Sequence, residues 1–432
     1  MVKLYLLVLI SFFPCCLFAQ EKEEIDFLKE NAIDISIDPD DDNFEDLSSL
    51  KTILADKRIV GMGESTHGSK EFFKMKHRML KFLVTEMDYR LFGIEANFTE
   101  CRDINDCVLN GKGNIKDAIA NMYFWTWNTQ EVLDMVEWMR EYNKSKSDSG
   151  KVKFYGFDMQ IDWKVTSLVV EMLKQFDSTY FNQHFAKLET LEITGRERYS
   201  PKVFTNAEKK VIRALLNDIQ EYIFKNRTQF IEMFSSDELA FLEQDVRIIE
   251  QCFEMNAQKD GYFTLRDRFM AENIQWILNH EGIDSKIMLW AHNGHISKST
   301  FSAKYESKAM GYHLKEIYGE EYYPIGFDFN KGSFTAIGDN GLSVYSVDAI
   351  IKNSTGEVFS RLEKPSFFID MKNLMNNDIA KKFFTKRIWR RYIGGAFTPK
   401  HKYSYYTREP LFNDFDGLIF INKITASQPI VH

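Results

Sequence analysis

The chain has 432 residues, which is enough for one large domain or two ordinary ones with a buried core. Hydrophobic residues make up 44% and charged residues 27%, a composition that excludes general disorder. The formal net charge is −8 and there is no sustained basic run, so nucleic acid and an anionic membrane surface are excluded as main partners. We expect a small-molecule substrate as the partner.

Residues 1–19 have the pattern of a secretory signal peptide. Lys3 precedes an apolar stretch from Leu4 to Phe13, and Ala19 stands at the expected cleavage point. No later segment approaches the roughly 18 uninterrupted apolar residues that a membrane-spanning helix needs. We therefore predict an exported protein, periplasmic or secreted, that does not insert stably into a membrane.

Six short runs rich in Val, Ile, Leu and Phe predict buried strands. Helical periodicity lies between them, as in Lys70 to Met87 and in the segment around Val132 and Met139. Strands joined by helical crossovers of this length favour an α/β fold with a mainly parallel central sheet flanked by helices. The predicted strands are Arg58–Gly63, Arg90–Ala96, Lys151–Asp158, Lys286–His292, Tyr322–Phe329 and Gly417–Asn422.

The middle third of the chain differs because it contains no convincing strand. From about Trp163 to His280 one helical pattern follows another, and we interpret this segment as a large helical insertion on the α/β core. Short β-like pieces follow Ser333. The predicted divisions are a signal peptide at 1–19, a first part of the core at 20–162, a helical insertion or cap at 163–280 and a second part of the core at 281–432.

Three cysteines remain after the signal peptide, too few for a disulfide scaffold. Cys252 falls inside a helical pattern and is predicted to be a buried apolar residue. An oxidising compartment would permit a disulfide bond between Cys101 and Cys107, and the sequence leaves this pairing undecided. None of the three stands near a histidine pair in the sequence, which argues against a cysteine nucleophile.

Five of the predicted strands end in a residue that can ionise or coordinate. Glu64, Glu95, Asp158, His292 and Asp328 each follow an apolar run. The carboxyl ends of parallel strands share one edge of a sheet, and ligands bind at that edge in such folds. The alternative is that the acidic residues only cap the following helices. That alternative stays open for the two aspartates and is weaker for the glutamates.

The stretch GMGESTHG, from Gly61 to Gly68, is the first candidate site motif. Its glycines permit a tight backbone path, and Ser69 is available to cap the following helix, so Glu64 and His67 are free for another role. Ser65 lacks the G-x-S-x-G context of a serine hydrolase. We therefore predict Glu64 and His67 as catalytic residues and Ser65 as part of the turn.

The stretch WAHNGHIS is the second motif and contains His292 and His295. Asn-Gly is a turn signal, so both imidazoles are expected on a loop at the end of a strand. A single histidine would more often be a core residue with satisfied hydrogen bonds. A pair that faces a second motif with a carboxylate and a histidine favours function.

Such a set of residues suits hydrolysis. A histidine can take a proton from water, a neighbouring carboxylate can hold its tautomer, and a further histidine or cation can stabilise the oxyanion formed at a carbonyl. No H-E-x-x-H motif occurs, and we predict no metal and no cofactor. The same acids and imidazoles suit zinc by ligand type, so a metal-dependent hydrolase remains an alternative.

Further candidates are predicted to contact the substrate. Trp125 and Trp127 lie in the run MYFWTWN and are predicted to form the wall of an apolar pocket, with core packing as the alternative. On the helix after His67, a cation is expected to point back toward the acidic cluster. Arg266 shares a helix face with Asn273, and the alternative for this face is exposure to solvent. The predicted substrate-binding residues are Lys76, Arg78, Trp125, Trp127, Asp158 and Arg266.

Six blocks of sequence in this order resemble the erythromycin esterase family, from about Ile59 to Phe420. They are GESTHGSKEF from Gly63, GIEANF from Gly93, YGFD from Tyr155, RDRFMAENIQWIL from Arg266, WAHNGHIS from Trp290 and MGYHLKEIYGEEYYPIGFDF from Met310. The resemblance implies an α/β fold with a helical cap and hydrolysis of the macrolide lactone ring without a metal, which confers macrolide resistance. It also implies that His67 is the general base and that Glu64, Glu95, His292 and His295 complete the site.

One position departs from the family pattern. The macrolide esterases have an arginine where this chain has Lys76, and a lysine keeps the charge but loses bidentate hydrogen bonding. The departure bears on macrolide specificity more than on hydrolysis. The alternatives are an exported hydrolase of another carboxylic ester and a haem-binding protein of related fold with His292 or His295 as axial ligand.

Overall fold

The computed structural model describes residues 21–195, 202–258, 260–302, 307–348 and 351–431. The predicted signal peptide lies outside these ranges. The predicted strands lie within them and can be compared with the structure. No helix within the described ranges combines the length and the apolar character needed to cross a membrane.

The α-helices alternate with the strands through most of the chain. In order they are α1 (21–31), α2 (Ser48–Ile53), α3 (Lys70–Glu86), α4 (Cys101–Asn110), α5 (Ile115–Ala120), α6 (Gln130–Asn143), α7 (Trp163–His184), α8 (Asn206–Lys225), α9 (Arg227–Met233), α10 (Ser236–Ala257), α11 (Tyr262–Glu281), α12 (Asn293–Ile296), α13 (Met310–Tyr318), α14 (Thr355–Ser360), α15 (Met371–Leu374), α16 (Asp378–Thr385) and α17 (Leu411–Asp414).

Within the described ranges, the strands form one large sheet and two small two-stranded sheets. In order they are β1 (Ile33–Asp34), β2 (Ile59–Met62), β3 (Leu91–Asn97), β4 (Lys153–Asp158), β5 (Ile287–Trp290), β6 (Thr300–Ser302), β7 (Ser307–Lys308), β8 (Tyr322–Gly338), β9 (Gly341–Val347), β10 (Ser366–Asp370), β11 (Ile388–Arg391), β12 (Tyr406–Glu409) and β13 (Gly417–Ile424). The small sheets are β6 with β7 and β11 with β12.

The large sheet has the order β1-β10-β13-β8-β2-β5-β3-β4, with β9 paired to the far end of β8. Every pairing from β13 to β4 is parallel, whereas β1, β10 and β9 pair antiparallel. The prediction of a mainly parallel central sheet is therefore confirmed, with antiparallel strands added at its side. The strands that make up the parallel part are the six predicted from apolar runs.

The strand β8 is much longer than predicted. The strand β8 continues past Asp328 to Gly338, because its second half pairs with β9. Asp328 is therefore inside the strand, buried, and its carboxylate accepts hydrogen bonds from Thr355 Oγ1 and from the backbone N–H of Phe329. The prediction that Asp328 belongs to the group of strand-end residues is wrong.

Both faces of the parallel sheet are buried, as the continuous apolar runs require. Alternate residues of β5 show this, since Ile287 and Leu289 belong to one hydrophobic cluster, and Met288 and Trp290 belong to the other. Helices α7 to α11 contribute to the first cluster, while α3, α4 and α6 contribute to the second. The helical segment at 163–280 thus covers one face of the sheet.

The three cysteines within the described ranges are buried and unpaired. Cys101 and Cys107 both lie on α4 as free thiols, so the disulfide left open by the sequence is not formed. Cys252 is buried on α10, as predicted. Burial raises the pKa of the Cys101 and Cys252 thiols well above the usual range, which makes both poor nucleophiles.

Candidate functional site

Side chains from four neighbouring strands meet at the carboxyl edge of the sheet. Glu64 follows β2, Glu95 lies near the end of β3, Asp158 ends β4 and His292 follows β5. Because these strands are adjacent and parallel in the order β2-β5-β3-β4, residues far apart in sequence lie side by side. We call the group Glu64, His67, Lys76, Glu95, Asp158, Arg266, Asp267, His292 and His295 the edge cluster.

The two histidine motifs interlock through a glycine. The absent side chain of Gly63 makes room for Asn293, whose Oδ1 would lie 2.1 Å from a Cβ at that position. Asn293 then donates its backbone N–H to the carbonyl of Glu64 at 2.8 Å and its side-chain amide to the carbonyl of Phe327 at 2.7 Å. This contact sets the distance between the strand ends of β2 and β5.

Glu64 and His67 form a hydrogen-bonded pair. The distance from His67 Nδ1 to Glu64 Oε1 is 2.6 Å. A carboxylate can only accept, so the network assigns the proton to Nδ1 and leaves Nε2 as the acceptor. The Glu64 side chain is fully buried, whereas 15% of the His67 side chain is exposed. The acceptor nitrogen is thus on the group that solvent can reach.

The second oxygen of Glu64 is held by two donors. Lys76 Nζ donates to Oε2 at 2.5 Å, and Trp290 Nε1 donates to the same atom at 2.8 Å. Burial alone raises the pKa of Glu64, but the ammonium of Lys76 and the hydrogen bond from His67 together lower the pKa below its ordinary value. Glu64 is therefore a carboxylate with a fixed orientation.

Lys76 is fully buried in a ring of aromatic side chains. Its ammonium lies 4.4 Å from the ring centroid of Trp290 and 5.3 Å from that of Phe327. Burial lowers the pKa of Lys76 to about 8, although Glu64 opposes this. As predicted, one cation on α3 points to the cluster, and it does so by binding Glu64.

Arg266 on α11 joins two of the strand-end carboxylates. Its guanidinium donates to Asp158 through Nε and Nη2, at 3.1 and 2.6 Å to the two oxygens, and to Glu95 Oε1 through Nη2 at 2.8 Å. All three side chains are buried. The solvated-face alternative for Arg266 and Asn273 is therefore wrong, because Asn273 is also buried and donates to the carbonyl of Phe157.

Glu95 connects the arginine to the histidines. Its Oε2 accepts the backbone N–H of His292 at 2.9 Å, and its Oε1 lies 3.2 Å from His295 Nε2. Burial raises the pKa of Glu95, but the charges of His295 and Arg266 outweigh burial and hold the pKa well below the usual range. Glu95 is accordingly a buried anion.

His292 is held as a neutral imidazole. The backbone N–H of Gly294 donates to Nδ1 at 3.2 Å, so Nε2 carries the proton and donates to the carbonyl of Ile393 at 3.1 Å. Burial, with a smaller effect from His67, lowers the pKa of His292 to about 3. The ring centroids of His67 and His292 are 5.1 Å apart. His292 caps the one-turn helix α12, where the sequence predicted a loop.

His295 has the opposite electrostatic surroundings. Its Nδ1 donates to Asp267 Oδ1 at 2.9 Å, and its Nε2 lies against Glu95. Burial and the nearby charge of Arg266 lower its pKa, but the two carboxylates prevail and raise the pKa to about 10. His295 therefore adds a positive charge to the cluster, next to a neutral His292.

We expect His295 to be an imidazolium at about pH 8. Its folded-state pKa of about 10 is above the ordinary value of 6.5, so its contribution to stability is complete below about pH 6.5. That contribution is lost as the pH rises through about 10. Nitrogen NMR of histidine-labelled protein measures the state directly, because both ring nitrogens of an imidazolium are protonated.

His292 is the internal control for this measurement, since a pKa of about 3 keeps it neutral over the same range. The Asp267→Asn variant removes one carboxylate and is expected to lower the pKa of His295. A neutral His295 at pH 8, with Nε2 accepting from Arg266 Nη1 at their distance of 3.0 Å, would contradict the assignment.

Five of the six predicted substrate-binding residues lie elsewhere or are enclosed, and Lys76 and Arg266 are two of them because both are buried against carboxylates of the edge cluster. Arg78 is two residues after Lys76 on α3 and so points to another side of the helix, where its guanidinium binds Asp46. The prediction that Arg78 binds substrate is therefore corrected. Trp127 is 1% exposed and packs against Trp290, so it is a core residue and not part of a pocket wall. Asp158 is fully buried against Arg266.

Trp125 is the predicted aromatic residue that remains partly exposed near the cluster. Its ring and His67 both border Gly395, since a Cβ at Gly395 would lie 3.8 Å from Trp125 Cζ2 and 3.7 Å from His67 Cδ2. Trp125 is therefore positioned to contact a molecule bound at His67. A role in substrate binding stays a prediction.

Sequence reasoning missed several members of the site. Asp267 adjoins Arg266 in sequence, but only the fold shows that it faces His295. Trp290 was placed in a predicted strand, but its hydrogen bond to Glu64 was not predicted. Residues 392–395, which we call the strap, follow β11 and contact the cluster through Ile393, and they were not singled out in the sequence analysis.

Most of the potential metal-ligand atoms of the edge cluster are engaged with other members of the cluster, although Asp267 Oδ2 is not. Lys76 and Arg266 place cations against the carboxylates, and His295 binds Asp267. In the part of the chain that the structure describes, no group of three or more His, Cys, Asp or Glu side chains is arranged to hold a metal ion. Both ring nitrogens of His292 are also engaged, which disfavours it as a haem ligand. The expectation of metal-free chemistry remains a prediction.

A cavity of about 200 Å³ lies next to the strap. Ile393 belongs to its wall and also binds His292 through its backbone carbonyl, so the strap separates this cavity from the edge cluster. Other residues around the cavity include Val347, Arg391, Phe397, Lys402, Tyr405 and Tyr406.

A parallel sheet with histidines and carboxylates at its carboxyl edge defines an α/β protein whose site suits hydrolysis. The chain belongs to the erythromycin esterase family, since the family's model, described as erythromycin esterase, matches residues 84–424. This membership and the proteins to which the chain is similar indicate a hydrolase that acts on a small molecule.

Two relatives and one solved structure illustrate the similarity. The erythromycin esterase type II of Escherichia coli is 24% identical, covering 72% of this chain and 78% of its own length. The putative hydrolase YbfO of Bacillus subtilis (strain 168) is 26% identical, covering 89% and 87%. A crystal structure of a Bacillus cereus protein has a TM-score of 0.83 and 27% identity, covering 95% of this chain and 99% of that one.

Proposed function

We propose that this protein is an exported carboxylic ester hydrolase that opens the lactone ring of erythromycin-type macrolides and so confers macrolide resistance. The observation that carries the proposal is the pair formed by buried Glu64 and partly exposed His67. Membership of the erythromycin esterase family supports it. The sequence of residues 1–19 supports export.

In the proposed reaction, His67 Nε2 takes a proton from a water molecule as that water attacks the lactone carbonyl. Glu64 holds the Nδ1 proton and stabilises the imidazolium that forms. The Nε2–H of His292 lies on the neighbouring ring and, after release from Ile393, donates to the oxyanion. The collapse of the tetrahedral intermediate breaks the C–O bond, and the proton on His67 passes to the leaving alkoxide.

The remaining charged residues position this machinery. Lys76 and Trp290 fix Glu64, while Arg266 fixes Glu95, which holds the backbone of His292. A lysine at position 76 fits because its compact ammonium binds Glu64 and lies against the rings of Trp290 and Phe327. Hydrolysis of another carboxylic ester uses the same groups and is the second candidate.

The test is to incubate the purified protein with erythromycin and to look by mass spectrometry for a product heavier by one water. A series of p-nitrophenyl esters assayed in parallel reports hydrolysis of simple carboxylic esters. The His67→Ala variant is the control for both, and metal analysis of the purified protein with assays in EDTA tests the metal-free reaction.

The outcomes separate the parts of the proposal. Conversion of erythromycin by the wild type alone supports lactone hydrolysis with His67 as an essential residue. Cleavage of simple esters with erythromycin unchanged refutes the macrolide substrate and leaves the esterase. A folded protein that cleaves neither contradicts the reaction, and loss of activity in EDTA together with stoichiometric zinc would establish the metal-dependent alternative.

A further inference from the structure

The strap contains two consecutive glycines that the protein's own structure does not require. Neither Gly394 nor Gly395 has a positive φ, so the backbone conformation is open to other residues. No atom of the described residues lies within 4 Å of a Cβ built on Gly394, and the nearest atom to one on Gly395 is 3.7 Å away. Both positions would therefore accept an alanine without a clash.

Glycines elsewhere near the cluster have a clear structural reason. A Cβ on Gly63 would lie 2.1 Å from Asn293 Oδ1, and one on Gly68 would lie 2.0 Å from the carbonyl oxygen of Thr335. At Gly394 and Gly395, the missing side chains instead leave open space. The atoms that border this space at Gly395 are His67 Cδ2 and Trp125 Cζ2.

The strap is held firmly on both sides of the glycines. On one side, Ile393 donates its N–H to the carbonyl of Ser65 at 2.8 Å. On the other, the carbonyl of Gly395 accepts from Ile337 at 2.8 Å, and Phe397 donates to Ile337 at 2.9 Å. The open space beside His67 is therefore a fixed feature of the fold.

We propose that Gly394, Gly395 and Trp125 form a substrate subsite that accommodates the bulky group next to the attacked carbonyl. This inference rests on the proposed hydrolase function and names the substrate class: esters with a large, branched or cyclic acyl part. The glycine backbone lets that part approach His67 closely, and the face of Trp125 packs against its apolar surface. Position 395 thus sets the size of the acyl group that reaches His67.

The test compares Gly395→Ala and Gly395→Leu with the wild type on p-nitrophenyl acetate and on p-nitrophenyl esters of branched and cyclic acids. We expect Gly395→Leu to lower kcat/KM for the bulky esters by roughly 10- to 200-fold, the range that one misplaced apolar group produces in a pocket. The loss on the acetate is expected to be smaller than the loss on the bulky esters, and Gly395→Ala gives an intermediate effect.

The matched control is Gly150→Leu, a glycine without positive φ whose Cβ contacts begin at 3.5 Å and which lies outside the edge cluster. An equal loss on small and bulky esters by Gly395→Leu, with unfolding unchanged, overturns the subsite. So does a Gly395→Leu variant that keeps full activity on the bulky esters.

A binding measurement keeps the subsite separate from the reaction. Erythromycin is titrated into the His67→Ala variant with and without Gly395→Leu, while tryptophan fluorescence is recorded with Trp125→Phe as the control. If the wild type hydrolyses nothing, the proposed function fails. In that case the subsite is still supported by saturable quenching that depends on Trp125 and is lost with Gly395→Leu. Quenching that is the same with Gly395→Leu, or absent altogether, overturns it.

Discussion

The His67→Ala variant is expected to fold normally and to lose ester hydrolysis by about a thousand-fold or more in kcat/KM. General base catalysis by a positioned side chain contributes about 10²- to 10⁴-fold, and no other partly exposed imidazole borders the open space at Gly395 among the described residues. Folding is expected to be preserved because the His67 side chain is partly exposed and its removal leaves Glu64 bound to Lys76 and Trp290.

The control is His401→Ala, which removes an exposed histidine from another part of the chain. The two variants and the wild type are compared by steady-state kinetics on an ester that the wild type cleaves and by thermal unfolding. A His67→Ala variant that retains more than a small fraction of wild-type kcat/KM would exclude His67 as the general base. A large loss of thermal stability would instead assign His67 a structural role.

The Arg266→Met variant is expected to lose about 3–5 kcal/mol of unfolding free energy, the usual cost of removing one partner from a buried ion pair. Arg266 binds both Asp158 and Glu95, and all three side chains are buried, so the substitution leaves two carboxylates without their cation. Urea unfolding followed by circular dichroism measures the change. Hydrolysis is expected to fall as well, because Glu95 positions His292.

Arg268 provides a matched control on the same helix. Its side chain is 49% exposed and its ion pair with Glu272 is at the surface, so Arg268→Met is expected to cost only about 0–1 kcal/mol. Adding Asp158→Asn to Arg266→Met removes one orphaned charge and is expected to recover part of the loss. Equal stability of the two arginine variants would show that the buried network does not contribute as argued.

The parallel part of the sheet was predictable from sequence for a specific reason. A strand buried on both faces needs apolar side chains at every position, so its residues form an unbroken run that stands out from the surrounding helices. Strands β2 to β5, β8 and β13 all have this pattern. The extension of β8 was not predictable because it pairs with β9 outside the buried layer, where both strands are partly exposed.

The site was predictable only in part. Polar residues directly after buried strands were visible as Glu64, Glu95 and His292, because a parallel sheet brings strand ends together. The sequence did not show which of Lys76 and Arg78 points to the acidic cluster, because this depends on which face of α3 packs toward the sheet.

The sequence by itself determined the fold class, the two histidine motifs and their place at one edge of the sheet, because these follow from local apolar patterning and from the geometry of parallel strands. Only the tertiary structure decided the charges: Asp267 and Glu95 make His295 cationic, and burial keeps His292 neutral. It also placed the strap beside His67. Protonation and the shape of the open space depend on distances between residues remote in sequence, which no local pattern encodes.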